Sequence, residues 1–330
     1  MMTEQVRKEH IVKYQIIKTL ADGQFHSGEA LGEMLGMSRA AISKHIKAIQ
    51  LWGLDIYRVQ GKGYQLSAPI DLLNQTLIQE HSLQPVELIP IIDSTNQYLL
   101  DRVHESVSGS VCVAEYQEKG RGRRGREWAS PFGANLYFSM YWKLEEGVAA
   151  AMGLSLAIGV AIVDALESFG AKDIKLKWPN DLYHQDKKLA GVLVEMSGQT
   201  GEAAHLVIGM GLNIHMSQNN ASIEQPWTNL EKVFNGEIPN RNDLVIALMA
   251  AWKDVLSQYE NQGMQRFVDR WNELDNFNNK PIKLIMGNKE VHGIGRGINE
   301  QGAILLQTEN GVEPYIGGEI SLRKSDLLSQ

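Results

Sequence analysis

Residues 119–128 read KGRGRRGREW, with four arginines among three glycines in a chain of net charge −7. Gly120, Gly122 and Gly125 satisfy G-x-G-x-x-G, a spacing that holds a dinucleotide pyrophosphate when a helix begins inside the glycines. An apolar strand, VCVAEYQ (111–117), precedes the motif, as that fold requires. The residues after the motif do not fit. EWASPFGAN is broken by Pro131 and Gly133, and LYFSMYW (136–142) is a strand by its aromatic content. With no helix there is no N-terminus to receive a pyrophosphate, and the dinucleotide reading fails. A glycine loop with Arg121, Arg123, Arg124 and Arg126 remains. Its N–H groups can approach an anion closely, and its guanidiniums offer bidentate donors to phosphate or carboxylate. The pattern predicts a cationic lid over an anionic small molecule.

Toward the N-terminus, Val12, Ile16 and Leu20 recur at i, i+4 and i+8, predicting a helix over 4–20. Ser27 can cap a second helix, Gly36 can end it, and Ser38 can cap a third running to about Leu51. Two helices joined by a G-M-S turn make a helix-turn-helix pattern. Arg39, Ser43, Lys44 and Lys47 lie away from the Ile42, Ile46 and Ile49 stripe. They are suited to a major groove and its phosphates. The stretch DIYRVQGKGYQLS predicts a hairpin wing carrying Arg58 and Lys62. Residues 1–66 hold 9 Lys/Arg against 6 Asp/Glu, so a slightly basic head sits on an acidic body.

A chain of 330 residues implies two or three domains. Cys112 is its only cysteine, which excludes an internal disulfide and any multi-cysteine zinc site. The charged start MMTEQVRKEH is unlike a signal peptide, and the uncharged run Val148–Val163 reads as a buried helix, too short for a membrane span. The expected location is the cytoplasm. There is no P-loop, H-E-x-x-H or G-x-S-x-G motif.

Toward the C-terminus, VELIPIID (86–93) predicts a strand, followed by Ser94-Thr95-Asn96 and a helix, QYLLDRVHE. Capping accounts for one of those three polar residues but does not require all of them. Lys177-Trp178-Pro179-Asn180-Asp181 ends another strand. Lys188, the only charge heading the apolar strand KLAGVLVE, is expected to point into a site. Gly191, and Gly209, Gly211 and Asn213 in GMGLN, predict close approach by a ligand or another backbone. FVDRWNELDN closes a helical stretch, and five short strands with tight turns then predict a small barrel.

DSTNQ, AEYQ, GRGRRGREW, SPFGANLY, KWPNDLY, KKLAGVLVE and GMGLN, in this order over essentially the whole chain, resemble the bacterial biotin–protein ligases. The helix-turn-helix resembles that of the bifunctional kind, which also represses the biotin operon. The resemblance implies an α+β multidomain fold. Its parts are a winged helix-turn-helix (1–68), a class II synthetase-like α/β ligase domain (69–275) and an SH3-like barrel (276–330). It implies that biotin and Mg-ATP form biotinyl-5′-adenylate, and that the biotinyl group then moves to a lysine of the biotin carboxyl carrier protein. Ser94, Thr95, Asn96, Gln117, Arg121, Gly122, Arg123 and Lys188 match biotin contacts, with Lys188 and Arg121 catalytic. Gly120, Arg123, Arg126, Asn180, Asp181, Asn213 and Trp227 match the ATP and adenylate side, with Mg²⁺ carried by ATP near Asp181. Ser217–Gln225 carries no distinctive residue. Operator DNA and an adenylate-dependent homodimer are the further implied partners. Two alternatives remain, a metabolite-sensing transcription factor without catalysis and a lipoate ligase. GRGRRG and KWPND disfavour the second.

Overall fold

The computed structural model describes residues 8–198, 202–216, 223, 225–317 and 320–325. The predicted first helix is α1 (Lys8–Leu20) within that span, and residues 4–7 lie outside it. Helices α2 (Gly28–Leu35) and α3 (Arg39–Gln50) carry the caps expected from sequence. Ser27 Oγ accepts from Ala30 N, Ser38 Oγ accepts from Ala41 N, and Gly36 turns left-handed at φ 63°. Strands β1 (Ile56–Val59) and β2 (Gly63–Leu66) pair as the antiparallel wing. Ile16, Ile17, Leu20, Leu31, Ile42, Ile46 and Ile49 form the head's core. Ser38, Arg39, Lys44, Lys47, Arg58 and Lys62 are exposed and Ser43 is partly so, which leaves one polar face open to solvent.

Next come α4 (Gln75–Gln79), β3 (Val86–Leu88), β4 (Ile91–Ile92), α5 (Thr95–Leu100), β5 (Val111–Ala114) and β6 (Tyr116–Gln117). VELIPIID is therefore two short strands in different sheets, broken at Pro90, which has no N–H for a ladder. The predicted helix QYLLDRVHE is mostly turn beyond Leu100. The chain continues through β7 (Asn135–Leu144), α6 (Leu154–Ser168), β8 (Ile174–Lys177), β9 (Asp181–His184), β10 (Lys187–Ser197) and β11 (Ala204–Asn213). The apolar run expected as one helix from Val148 starts instead with a 3₁₀ turn. α6 begins only after Gly153, at φ 85°, breaks the chain direction. Helices α7 (Leu230–Val233), α8 (Arg241–Gln262) and α9 (Val268–Leu274) precede β12 (Pro281–Met286), β13 (Lys289–Ile298), β14 (Ile304–Thr308), β15 (Gly311–Tyr315) and β16 (Ile320–Lys324). No helix among the described residues is long and apolar enough to cross a membrane.

The large sheet has the order β3-β5-β7-β11-β10-β9-β8, antiparallel except for β3 with β5. Its pleat separates two faces. Phe138, Met140, Ile208, Met210 and Val192 lie in the main core with α6 and α8, where Phe138 meets Trp252 edge-on at 4.8 Å. Tyr137, Ser139, Tyr141, Val207, Gly209, Gly211, Gly191, Leu193 and Glu195 share the opposite face by register. The C-terminal strands form a second sheet, ordered β15-β14-β13-β12-β16, whose Ile282, Leu284, Ile304 and Leu322 join the same main core. The fold is mixed α+β, with an SH3-like C-terminal unit.

The head meets the body beside the glycine loop. Trp52 stacks on Tyr116 at 4.9 Å and on Phe132 at 6.3 Å, and its carbonyl accepts from Phe132 N at 2.9 Å. Those two partners lie before and after residues 117–131.

Asp275 marks the joint where α9 leads into the C-terminal sheet. It accepts from Phe277 N at 2.8 Å, while its Oδ2 has no hydrogen-bond partner among the described residues. Burial outweighs that bond and the nearby Lys280 and Lys175, pushing its pKa up to about 6. A carboxyl raised in the fold stabilises below its unfolded value and loses that contribution as pH rises through 6. Asp275→Asn keeps the acceptor and removes the buried charge. It should stabilise the protein by about 1–3 kcal/mol at pH 8. The gain should fade toward pH 4. Urea unfolding at the two pH values checks this, and equal gains at both would refute it.

Candidate functional site

A cavity partly open to solvent lies on the α5 face of the large sheet. Its polar end is built by α5. Ser94 is that helix's cap, its side chain accepting from Gln97 N, so capping explains Ser94 while Thr95 and Asn96 turn inward and are buried. Gln117 Oε1 accepts from Thr95 N at 3.0 Å and from Thr95 Oγ1 at 3.2 Å, while its amide donates to Ser130 Oγ at 3.2 Å. Ser139, fully buried on β7, lies 2.7 Å from Thr95 Oγ1 and 2.6 Å from Asn96 Oδ1. Asn96 Nδ2 donates to Glu195 Oε2 at 2.8 Å and to Leu193 O at 3.3 Å.

Glycines shape the floor, where their pattern predicted close approach, and Gly191, Gly209 and Gly211 all line the cavity. A Cβ at Gly209 would lie 2.0 Å from Asn96 Oδ1, and one at Gly211 would lie 2.2 Å from the Trp128 indole. Both glycines make room for the protein's own side chains. At Gly191 the nearest neighbours are Trp128, at 3.2 Å, and Lys188.

The other end is cationic. The loop 119–128 forms a narrow return, with Gly122 N bonded to Arg126 O at 2.7 Å and Trp128 N to Gly120 O at 2.9 Å. It contains only a three-residue 3₁₀ turn, Arg123–Gly125, with Arg124 at φ 60°. No helix starts there. Arg121 Nη1 donates to Gln97 Oε1 at 2.7 Å, and Nη2 meets the Glu195 carboxylate at 2.8 and 3.0 Å. Arg123 Nη1 donates to Asn180 Oδ1 at 3.0 Å, and Asn180 Nδ2 donates to Val192 O at 2.6 Å. Arg124 Nη1 reaches Ser321 Oγ at 3.0 Å, so the loop touches the C-terminal sheet. Lys188 Nζ lies 2.8 Å from Asp181 Oδ1 and 5.3 Å from the Trp128 ring centroid. Lys177 donates to the Tyr183 hydroxyl at 2.9 Å. Burial brings its pKa down to about 8; Arg323, Lys188 and Arg126 push the same way and Asp181 opposes them.

Of the residues singled out from sequence, Ser94, Thr95, Asn96, Gln117, Arg121, Gly122, Arg123, Arg126, Asn180, Asp181 and Lys188 line this cavity. Gly120 does not. A Cβ there would lie 2.5 Å from Ser130 Oγ and 2.6 Å from Trp128 O, so it is a tight-packing position in the loop stem. Asn213 and Trp227 line a smaller adjoining cavity with Lys188 and Trp128. Trp227 bridges Lys188 in a strand-like contact, and Asn213 Nδ2 donates to Thr228 O at 3.0 Å. Of Ser217–Gln225, residues 217–222 and 224 lie outside the described set. Sequence reasoning missed Trp128, Ser139, Lys177, Glu195 and Arg323 as site residues. Ser139 offered a signal, the one small polar residue in the aromatic and aliphatic run 136–142; Arg323 offered none.

No group of three or more His, Cys, Asp or Glu that could hold a metal occurs among the described residues. Asp181 is a carboxylate at the cationic end, already engaged by Lys188. That donor set suits a Mg²⁺ held mainly by triphosphate oxygens rather than by a protein cage.

Residues 88–213 match the Biotin/lipoate A/B protein ligase family, 12–65 an HTH domain, and 278–323 the Biotin protein ligase C terminal domain. The chain is 51% identical to the bifunctional ligase/repressor BirA of Escherichia coli, over 97% of this chain and 99% of that one. It is 32% identical to the biotin–[acetyl-CoA-carboxylase] ligase of Paracoccus denitrificans, over 69% and 96%. Among solved structures, the biotin protein ligase of Aquifex aeolicus in complex with biotin and ATP superimposes with a TM-score of 0.64. Its identity is 30%, over 73% of this chain and 99% of that one. With head, middle and C-terminal sheet all matched in order, the chain belongs to the biotin–protein ligase family, in its bifunctional ligase/repressor form.

Proposed function

We propose that this chain activates biotin with ATP, transfers it to a carrier-protein lysine, and represses transcription through its head, with units at 1–68, 69–275 and 276–330. The observation that carries this reading is a single cavity with the buried Ser94, Thr95 and Asn96 and the half-buried Gln117 at one end, Arg121 beside them, and Lys188, Arg123 and Arg126 toward the other. A ureido ring needs short donors and acceptors, and a carboxylate facing a triphosphate needs cations.

Biotin's carboxylate attacks the α-phosphorus of ATP. A C–O–P anhydride forms and pyrophosphate leaves. Lys188 and Arg121 offset the repulsion between the two anions. Asn180, Asp181, Arg126, Asn213 and Trp227 hold the nucleotide, with Trp227 as the adenine-stacking candidate. When bound with the triphosphate, Mg²⁺ supplies charge neutralisation there, beside Asp181. The neutral amine of the acceptor lysine then attacks the acyl carbon, AMP leaves and the amine loses a proton to solvent. No enzyme nucleophile is required. The loop's task in the interval is to exclude water from a hydrolysable anhydride.

ATP-dependent labelling of a biotin carboxyl carrier domain by the full chain tests the ligase. Retention of biotin without labelling would leave a metabolite-sensing regulator instead. For the repressor, Arg39, Ser43, Lys44, Lys47, Arg58 and Lys62 supply the groove and phosphate contacts, so affinity for operator DNA should fall steeply with salt. Two such heads fit a palindromic site only as a dimer. Sedimentation should show the mass double when biotin and ATP are both added; an unchanged mass would remove the dimer from the proposal.

A further inference from the structure

Glu195 is out of place by charge. It lies on β10 opposite Val207, on the same face as Gly191 and Leu193, beside a cavity read as the site of an anionic ligand. An unpaired carboxylate there would repel what the loop arginines attract. Its contacts show it committed elsewhere. Both oxygens meet Arg121 Nη2, at 2.8 and 3.0 Å, and Oε2 also accepts from Asn96 Nδ2 at 2.8 Å.

Each contact fixes something the ligand would otherwise find variable. Asn96 spends its amide hydrogens on Glu195 and Leu193 O, so its Oδ1 faces Ser139 and keeps acceptor capacity. A carboxylate can only accept, so it fixes which way the Asn96 amide is turned. Arg121 is gripped at its Nη end by Glu195 and Gln97. That leaves Nε–H, buried and without an acceptor among the described residues, as the donor in reserve.

We propose that Glu195 is a positioning residue for adenylate formation, setting the polarity of the Asn96 amide and aiming the Arg121 guanidinium from behind. The inference rests on the reading of the cavity as the biotin and adenylate site. Glu195 itself touches neither reacting atom. Its charge neutralises an arginine that would otherwise swing toward solvent on a glycine-flanked loop, and this makes the carboxylate an aid to anion binding.

The test is steady-state kinetics of the full-length protein with Glu195→Gln, Arg121→Gln and the double variant. The amide of Glu195→Gln would keep one acceptor oxygen for two donors, so KM for biotin should rise about tenfold. kcat at saturating biotin should change by less than about threefold, since Glu195 touches no reacting atom and what is lost is the placing of groups that hold biotin alike before and during the reaction. In the Arg121→Gln background, Glu195→Gln should add only the smaller share that runs through Asn96. Gln97→Ala removes the other acceptor of Arg121 without disturbing the sheet and should move KM in the same direction, which keeps the proposal testable if the Glu195 variants fold poorly. An unchanged KM in either variant, a full second tenfold rise in the double variant, or equal losses in KM and kcat would overturn it. If the wild type itself makes no adenylate from biotin and ATP, the functional reading falls; if it does and Glu195→Gln matches it, only the positioning role falls.

Discussion

Arg123→Gly should release biotinyl-adenylate into solution about 10- to 100-fold faster than the wild type, the range expected for loss of charge-assisted hydrogen bonds. Arg123 latches the loop to Asn180, and Asn180 is itself doubly bonded to Val192 on β10, its Nδ2 donating at 2.6 Å and its carbonyl accepting at 2.9 Å. Arginine here therefore ties a flexible segment to the sheet. Glycine at 123 would lengthen an already glycine-rich run between Gly122 and Gly125, adding backbone freedom to the loss of the latch. Arg124 would still reach Ser321, and Arg121 would still be held by Glu195, so the loop should loosen at its tip while its stem persists. The expected signature is a faster leak of intermediate with less loss of adenylate synthesis. A pulse-chase that counts free adenylate and biotin on bystander amines measures it. Release at the wild-type rate would mean the loop is not the barrier.

The head is legible in the sequence because its determinants are local. Ser27, Ser38 and Gly36 act within four residues of themselves, and the Ile42, Ile46, Ile49 stripe follows helical spacing. The loop was legible for a different reason, since the absence of a following helix removed the dinucleotide fold. Register defeated the rest. Glu195 reads as an ordinary charge near a strand end until β10 is laid against β11, with Glu195 opposite Val207 and Leu193 opposite Gly209. Trp128 reads as loop punctuation until Gly211 is seen to leave space for its indole. Lys177 and Arg323 meet at the cavity from positions 146 residues apart, a distance no local pattern spans. The glycines read as crowded positions, but sequence shows where a Cβ is missing and not that Asn96 and Trp128 lie against Gly209 and Gly211.

Lys188→Gln should cut kcat/KM for adenylate formation by roughly 10²- to 10³-fold, as expected for a group that stabilises charge developing in the transition state. Its backbone is pinned on both sides. Lys188 N donates to Pro226 O at 3.0 Å, Thr228 N donates to Lys188 O at 2.8 Å, and β10 shifts register between Lys188 and Ala190. The side chain is 14% exposed and ion-paired with Asp181. Gln would therefore remove the cation and also leave the Asp181 carboxylate uncompensated at the nucleotide end of the cavity. Two anions must meet in this step, and both changes raise its barrier. Transfer from preformed adenylate to the carrier has no such meeting of charges and should suffer much less. Lys187→Gln is the matched control, because Lys187 is exposed one residue away and pairs through its backbone with His184. Biotin-dependent exchange of labelled pyrophosphate into ATP reads the first step alone. A loss of only a few-fold in Lys188→Gln, or an equal loss in Lys187→Gln, would show that the anions are brought together by some other charge, with the loop arginines the next to examine.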